Sequence, residues 1–167
     1  MKHKPERPKI TIRVAEESDM EFAHNLSKKA FSRYGPYEDM LERWFLSGTT
    51  ETFLAIMEKR PVGFVMLGRY QNEWGSRQIA ELLAIAVEPE KRKKGVGDFL
   101  IQEVIKKARG LGIETVVLYT ALENVVAQRL FKKHGFTPSR IKDRFYPRGQ
   151  DALLMVGHIE SPNGCVM

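Results

Sequence analysis

A chain of 167 residues with 43% hydrophobic and 29% charged side chains has the size of one domain. A single core can bury roughly 70% of the surface that such an unfolded chain exposes, so no disulfide or metal is needed to hold it. Its one cysteine, Cys165, excludes an internal disulfide and a cysteine zinc cluster, and no apolar run approaches the ~20 residues that span a bilayer. The start at Met1–Ile10 is polar, so a cytoplasmic protein is expected, with no membrane partner and no metal. The net charge of +6, from 27 Lys and Arg against 21 Asp and Glu, calls for an anionic partner of some kind.

Residues 1–9 and 160–167 read as flexible ends around one folded unit at 10–159. Ile10, Ile12 and Val14 alternate with polar residues and predict a first strand. Ser18 or Asp19 is placed to cap a helix whose apolar positions Met20, Phe22, Ala23, Leu26, Ala30 and Phe31 follow helical spacing. Tyr34-Gly35-Pro36-Tyr37 breaks it, and a second short helix carries Met40, Leu41, Trp44 and Phe45. Thr52–Glu58 and Val62–Gly68 flank Lys59-Arg60-Pro61 as a hairpin.

Ile79–Val87 is apolar on both alternating faces, Ile79/Leu83/Ile85/Val87 and Ala80/Leu82/Ala84/Ala86, which predicts a strand in the middle of a sheet. Glu81 interrupts it. A helix from Val96 to the glycines at 110 and 112, a strand at Thr115–Thr120, a helix from Asn124 to Gly135, and strands at Phe136–Ile141 and Ala152–His158 complete the chain. The order β-α-α-β-β-β-α-β-α-β-β predicts an α/β (α+β) domain, a mixed sheet with helices packed on it.

The densest positive block is Lys91-Arg92-Lys93-Lys94, and its surroundings give it a use. It follows the buried strand and Glu88-Pro89-Glu90, and Gly95-Val96-Gly97 opens the next helix. Glycines let backbone approach an anion, the first helical N–H groups point at it, and the helix dipole favours negative charge. Neither G-x-x-x-x-G-K-[ST] nor G-x-G-x-x-G occurs, which argues against nucleoside triphosphate and dinucleotide binding.

The segment Arg92-Lys93-Lys94-Gly95-Val96-Gly97 resembles the [QR]-x-x-G-x-[GA] acetyl-CoA motif of the GNAT superfamily of N-acetyltransferases, with Ala-Val-Glu-Pro just upstream at 86–89. Asn124-x-x-Ala127-x-x-Leu130-Phe131-x-x-x-Gly135-Phe136 is similar to that superfamily's later helix and turn. The resemblance implies a mostly antiparallel sheet of about seven strands with about four helices, splayed between the fourth and fifth strands to take the pantetheine arm. It implies that backbone groups of Ile85, Ala86 and Val87 meet pantetheine and the acetyl carbonyl. Arg92, Lys93, Lys94, Gly95, Val96, Gly97 and Asp98 would wrap the pyrophosphate, with Asn124, Ala127 and Phe131 along the arm. Asn124 also suits a helix N-cap, and His134 suits a helix C-terminus.

Acetyl transfer needs a neutral amine, so a base must act below the α-ammonium pKa of about 8. Glu81, 14 residues before Gly95, matches the place of a catalytic glutamate in some members, and its apolar neighbours are expected to raise its pKa. Where members often carry a tyrosine acid, this chain has Phe131, leaving Tyr119 and Tyr146 as substitutes. Arg144-Phe145-Tyr146-Pro147 through Asp151-Ala152 and Met155 is similar to the tyrosine hairpin of RimI-type protein N-terminal acetyltransferases. That implies a peptide cleft lined by Tyr146 opposite Tyr34 and Tyr37. The RimI-type glutamate, five residues before the helix asparagine, is replaced by Tyr119, which assigns the base to Glu81. Acetyl-CoA and a peptide or protein N-terminus are thus the expected partners of a monomer or homodimer, with a small amine or amino acid as the alternative acceptor. A non-catalytic acyl-CoA-binding module is the third reading. Direct nucleic-acid binding is not expected, because the basic cluster sits on a glycine turn rather than among exposed aromatics. Arg140, Lys142, Arg144 and Arg148 remain without a role.

Overall fold

The computed structural model describes residues 6–70 and 79–160. Residues 1–5 and 161–167, and with them Cys165 and most of the expected flexible ends, lie outside the described residues. The elements in chain order are β1 (Ile10–Val14), α1 (Met20–Phe31), α2 (Tyr37–Leu46), β2 (Thr50–Met57), β3 (Arg60–Tyr70), β4 (Ile79–Val87), α3 (Val96–Gly110), β5 (Thr115–Ala121), α4 (Val125–Lys133), β6 (Thr137–Lys142) and β7 (Ala152–His158). Among the described residues no helix is long and apolar enough to cross a membrane.

One seven-stranded sheet runs in the order β1-β2-β3-β4-β5-β7-β6, antiparallel throughout except for the β4–β5 pair. A parallel neighbour demands a crossover, and α3 supplies it. The β4–β5 pairing starts at Ile79↔Thr115 and ends at Leu82↔Leu118, although β4 continues to Val87. Beyond that point the two strands diverge. Among the described residues, the β5-facing edge of Leu83–Val87 therefore has no strand partner, as the expected splay requires.

The strict alternation predicted for β4 does not survive. Against β3, Met66 pairs with Ala84 and Leu67 with Leu82, so Leu83 is an extra residue in a bulge. A bulge shifts the side-chain phase by one. Ala80 and Leu82 therefore join Ile85 and Val87 in the core under α3, whereas Leu83, Ala84 and Ala86 pack under α1 and α2. Glu81 falls between Ala80 and Leu82 and so faces the α1/α2 side.

Each face of the sheet has its own core. Leu100, Ile101 and Val104 of α3 and Phe131 of α4 meet Val65, Leu67, Leu118 and Met155 on one face. Leu26 and Leu41 meet Leu54, Phe64 and Met66 on the other. Each such fully buried side chain contributes about 1.5–3 kcal/mol, and two filled faces explain why β4 is apolar on both.

Two local expectations need correction. Asp19 precedes α1, but its carboxylate makes no capping bond to that helix. It accepts the Glu16 N–H at 2.8 Å and two Arg13 guanidinium bonds at 2.7 and 2.9 Å, pinning the turn before α1 to β1. The Arg13 bonds hold the Asp19 carboxyl below its usual range. The hairpin turn is Glu58-Lys59, with φ of 51° and 65°, so Arg60 and Pro61 begin β3 rather than the turn. Two positive φ values match the right-handed strand twist of a two-residue connection.

Candidate active site

Where β4 and β5 part, a cavity of about 630 Å³ opens. It is lined by Phe31, Tyr34, Tyr37, Leu41 and Trp44 from the α1–α2 side, by Glu81–Ile85 of β4, by Leu118–Ala121 of β5, by Asn124, Ala127 and Phe131, and by Lys142, Phe145, Tyr146 and Pro147. Nine of the predicted site residues thus share one space: Glu81, Ile85, Tyr119, Asn124, Ala127, Phe131, Tyr34, Tyr37 and Tyr146. Ala86, Val87 and 92–98 lie outside this lining, on the continuation of the fork. Glu81 is half-buried and opposes Gly68 on β3 and Val117 on β5.

Two loops close the cavity. The Tyr146 ring lies 4.9 Å from Tyr34 and 5.7 Å from Tyr37, and Phe145 meets it edge-on at 5.1 Å. Two hydrogen bonds tie the loops: the Arg148 backbone N–H donates to the Tyr34 carbonyl at 3.2 Å, and the Gln150 side-chain Nε2 donates to the Arg33 carbonyl at 2.8 Å. Gly35, at φ +148°, lies so close to Pro147 that a Cβ there would come within 2.8 Å. Burial pushes the Tyr37 phenol up to about 12 and the Tyr146 phenol higher, with the neighbouring tyrosines adding to the latter. Burial also raises Tyr34. All three phenols stay protonated at neutral pH and can donate hydrogen bonds.

The anion-binding geometry is present at α3. Gly95 takes φ +83° at the N-cap, its would-be Cβ faces open space, and its carbonyl accepts the first helical bond, from the Phe99 N–H. The N–H groups of Val96, Gly97 and Asp98 precede that bond and have no intrahelical acceptor. Lys93, at φ 61°, and Lys94 are exposed beside them. Two predicted contributors are engaged elsewhere. Arg92 Nε donates to the Val87 carbonyl at 3.4 Å. The Asp98 carboxylate is held by Lys133 Nζ at 2.9 Å and lies 2.8 Å from His134 Nε2, and the lysine foremost keeps its pKa low. Only the Asp98 N–H is left to face an anion. His134 is indeed the α4 C-cap, and its ring also ties that helix end to α3.

Asn124 accepts the Ala127 N–H at 3.1 Å as the α4 N-cap while also lining the cavity. Phe131 is 3% exposed and meets Phe136 edge-on at 5.9 Å. Lys142 and Phe145 were not singled out as site residues from sequence. Lys142 ends β6 and Phe145 lies in the connection to β7, and both meet Tyr119 only through tertiary packing, which no local pattern signals.

The fork, the glycine cradle at α3 and the capped α4 together suit the binding of a long phosphorylated thioester. Residues 15–136 match the acetyltransferase (GNAT) family. The chain belongs to that family. An N-alpha-acetyltransferase of Sulfolobus acidocaldarius is 29% identical over 154 residues, covering 86% of this chain and 89% of the relative. The ribosomal protein bS18 alanine N-acetyltransferase of Salmonella typhimurium is 32% identical over 79 residues, 46% of this chain and 53% of that protein. Among solved structures, NAA60 of Arabidopsis thaliana in complex with a bisubstrate analogue superposes with a TM-score of 0.79 at 22% identity, covering 92% of this chain and 99% of that one. At that identity the likeness is one of fold. The forked sheet is thus the GNAT fold, and the enzyme class is N-acetyltransferase.

Proposed function

We propose that this GNAT acetyltransferase moves an acetyl group from acetyl-CoA to the α-amine of a peptide or protein N-terminus within a ternary complex, with Glu81 as general base. The observation that carries the reading is that Glu81 and the tyrosine cluster Tyr34/Tyr37/Tyr146 line the same cavity at the fork. The relatives named for N-terminal acetylation support it.

The chain's own groups divide the work. N–H groups at 96–98 and the ammonium groups of Lys93 and Lys94 hold the pyrophosphate, and the unpartnered β4 edge takes the pantetheine amides. Acetyl-CoA supplies a thioester whose acyl carbon accepts the amine. Glu81 receives the proton the amine must lose, directly or through water, as the C–N bond forms and the C–S bond breaks. Phe131 has no proton to give the departing sulfur, but a thiol pKa near 8.5 makes the thiolate a tolerable leaving group. Tyr119 and Tyr146 are the phenols in the cavity proposed for that step, and the raised pKa of Tyr146 suits hydrogen-bond donation better than full proton transfer. Tyr34, Tyr37 and Tyr146 line the acceptor side.

Incubation with acetyl-CoA and a panel of short peptides and free amines, followed by mass spectrometry, tests the proposal. A gain of one acetyl group at peptide N-termini is expected. Acetylation of free amines alone overturns the acceptor class, and tight CoA binding without turnover overturns the enzymatic role.

A further inference from the structure

Within the cavity, one charge has no part in the transfer chemistry. Lys142 closes β6, and its ammonium lies 4.8 Å from the centroid of the Tyr119 ring and 5.7 Å from that of Phe145. Those two rings stack at 4.6 Å with an interplanar angle of 19°, forming one aromatic wall on which the ammonium rests. Lys142 is half-buried, and among the described residues no carboxylate pairs with it. Ring faces attract a cation, yet they do not replace a counter-anion for an ammonium drawn into an apolar space.

Glu81 and Lys142 are the two charged side chains in the lining among the described residues. They enter from different strands, β4 and β6, which β5 and β7 separate in the sheet. An acceptor that spans this cavity can bring its amine to the proposed base Glu81 and a carboxylate to the Lys142 ammonium. The next loop sets Arg144 and Arg148 against Asp143 and Asp151 and so adds no net charge, which leaves Lys142 as the group on this side that seeks an anion. Arg33 adds little because Glu123 lies 3.4 Å from it.

We propose that Lys142 selects acceptors bearing a carboxylate close to the reacting amine. On the reading of the protein as a peptide N-terminal acetyltransferase, these are peptides whose first or second residue is Asp or Glu. The same chemistry occurs in free acidic amino acids, and the test separates the two sources.

Peptides identical but for Asp, Glu, Ala, Ser or Lys in the first two positions, together with free aspartate and glutamate, are compared by kcat/KM for the wild-type protein. Acidic peptides are expected to lead by about tenfold or more, the size of one good charge-assisted contact. Lys142→Met should flatten the series, Lys142→Arg should keep the preference, and Lys142→Glu should shift it toward Lys-containing peptides. A merely structural lysine would lower every peptide alike and would show no inversion. If Ala and Ser peptides are acetylated as well as acidic ones, the selection by Lys142 is overturned while N-terminal acetylation stands. If free acidic amino acids alone are acetylated and the Lys142 variants lose that preference, the peptide reading falls and the carboxylate contact stands. Turnover of uncharged small amines alone sinks both.

Discussion

Glu81 and Lys142 allow chemistry and selection to be separated by single substitutions. Removing the proposed base while keeping its shape, as in Glu81→Gln, should lower kcat by about 10²-fold or more with little change in the KM for acetyl-CoA. Steady-state kinetics check this, and activity within a factor of two of wild type removes Glu81 from the mechanism. The buried phenols predict an alkaline limit to stability. Tyr37 has a folded pKa of about 12 against the ordinary 10.0, because burial disfavours its anion. A raised pKa means that the folded state holds the proton more tightly. That contribution is fully present below pH 10.0 and is lost as pH rises towards about 12. Thermal melts of wild type should therefore fall across that window, and Tyr37→Phe should fall less steeply.

Single turns within elements also have separable effects. Gly95 adopts φ +83° at the N-cap of α3, where its Cβ would meet nothing, so Gly95→Ala tests backbone conformation alone. The left-handed cost of about 1–2 kcal/mol predicts a KM for acetyl-CoA raised by about five- to thirtyfold. The acceptor KM should stay near wild type. Gly35→Ala predicts the opposite split: the new methyl would press Pro147 at 2.8 Å, separate the two loops that hold the tyrosine cluster, and raise the acceptor KM with little effect on acetyl-CoA. An equal change in both constants for either variant would show that the two loops are not independent. The bulge at Leu83 works at the same scale. It shifts the phase of β4 so that Glu81 faces the α1/α2 side while Ile85 and Val87 return to the α3 side.

At the scale of the whole molecule, two cores clamp one sheet, and the cavity exists because the sheet parts between its fourth and fifth strands. Leu100 is fully buried in α3 against that sheet. Leu100→Ala should cost about 2–5 kcal/mol in denaturant unfolding. Because α3 also carries the proposed phosphate cradle, acetyl-CoA should restore part of that loss by binding the folded state. A variant with unchanged unfolding would contradict the packing described.

Much of this was legible before folding. Hydrophobic periods of two and 3.6 residues are local, so the order of eleven elements, the central apolar strand and its bounds at Ile79–Val87 followed from the sequence. The glycine turn before α3 was equally local, since a basic run, two glycines and a helix start are contiguous at 91–97. The strand bulge was not, because a phase shift depends on what β3 opposes to Leu83. Nor was the diversion of Asp98 to Lys133 and His134, partners 35 and 36 residues away by number. The placement of Lys142 on Tyr119 and Phe145 belongs to the same class. Sequence alone determined which ionisable and glycine residues were available and that a basic run meets a helix start at 91–97, because those properties reside in residue type and neighbours. Only the tertiary structure decided which charges share a cavity, because that follows from loops and strands brought together by packing.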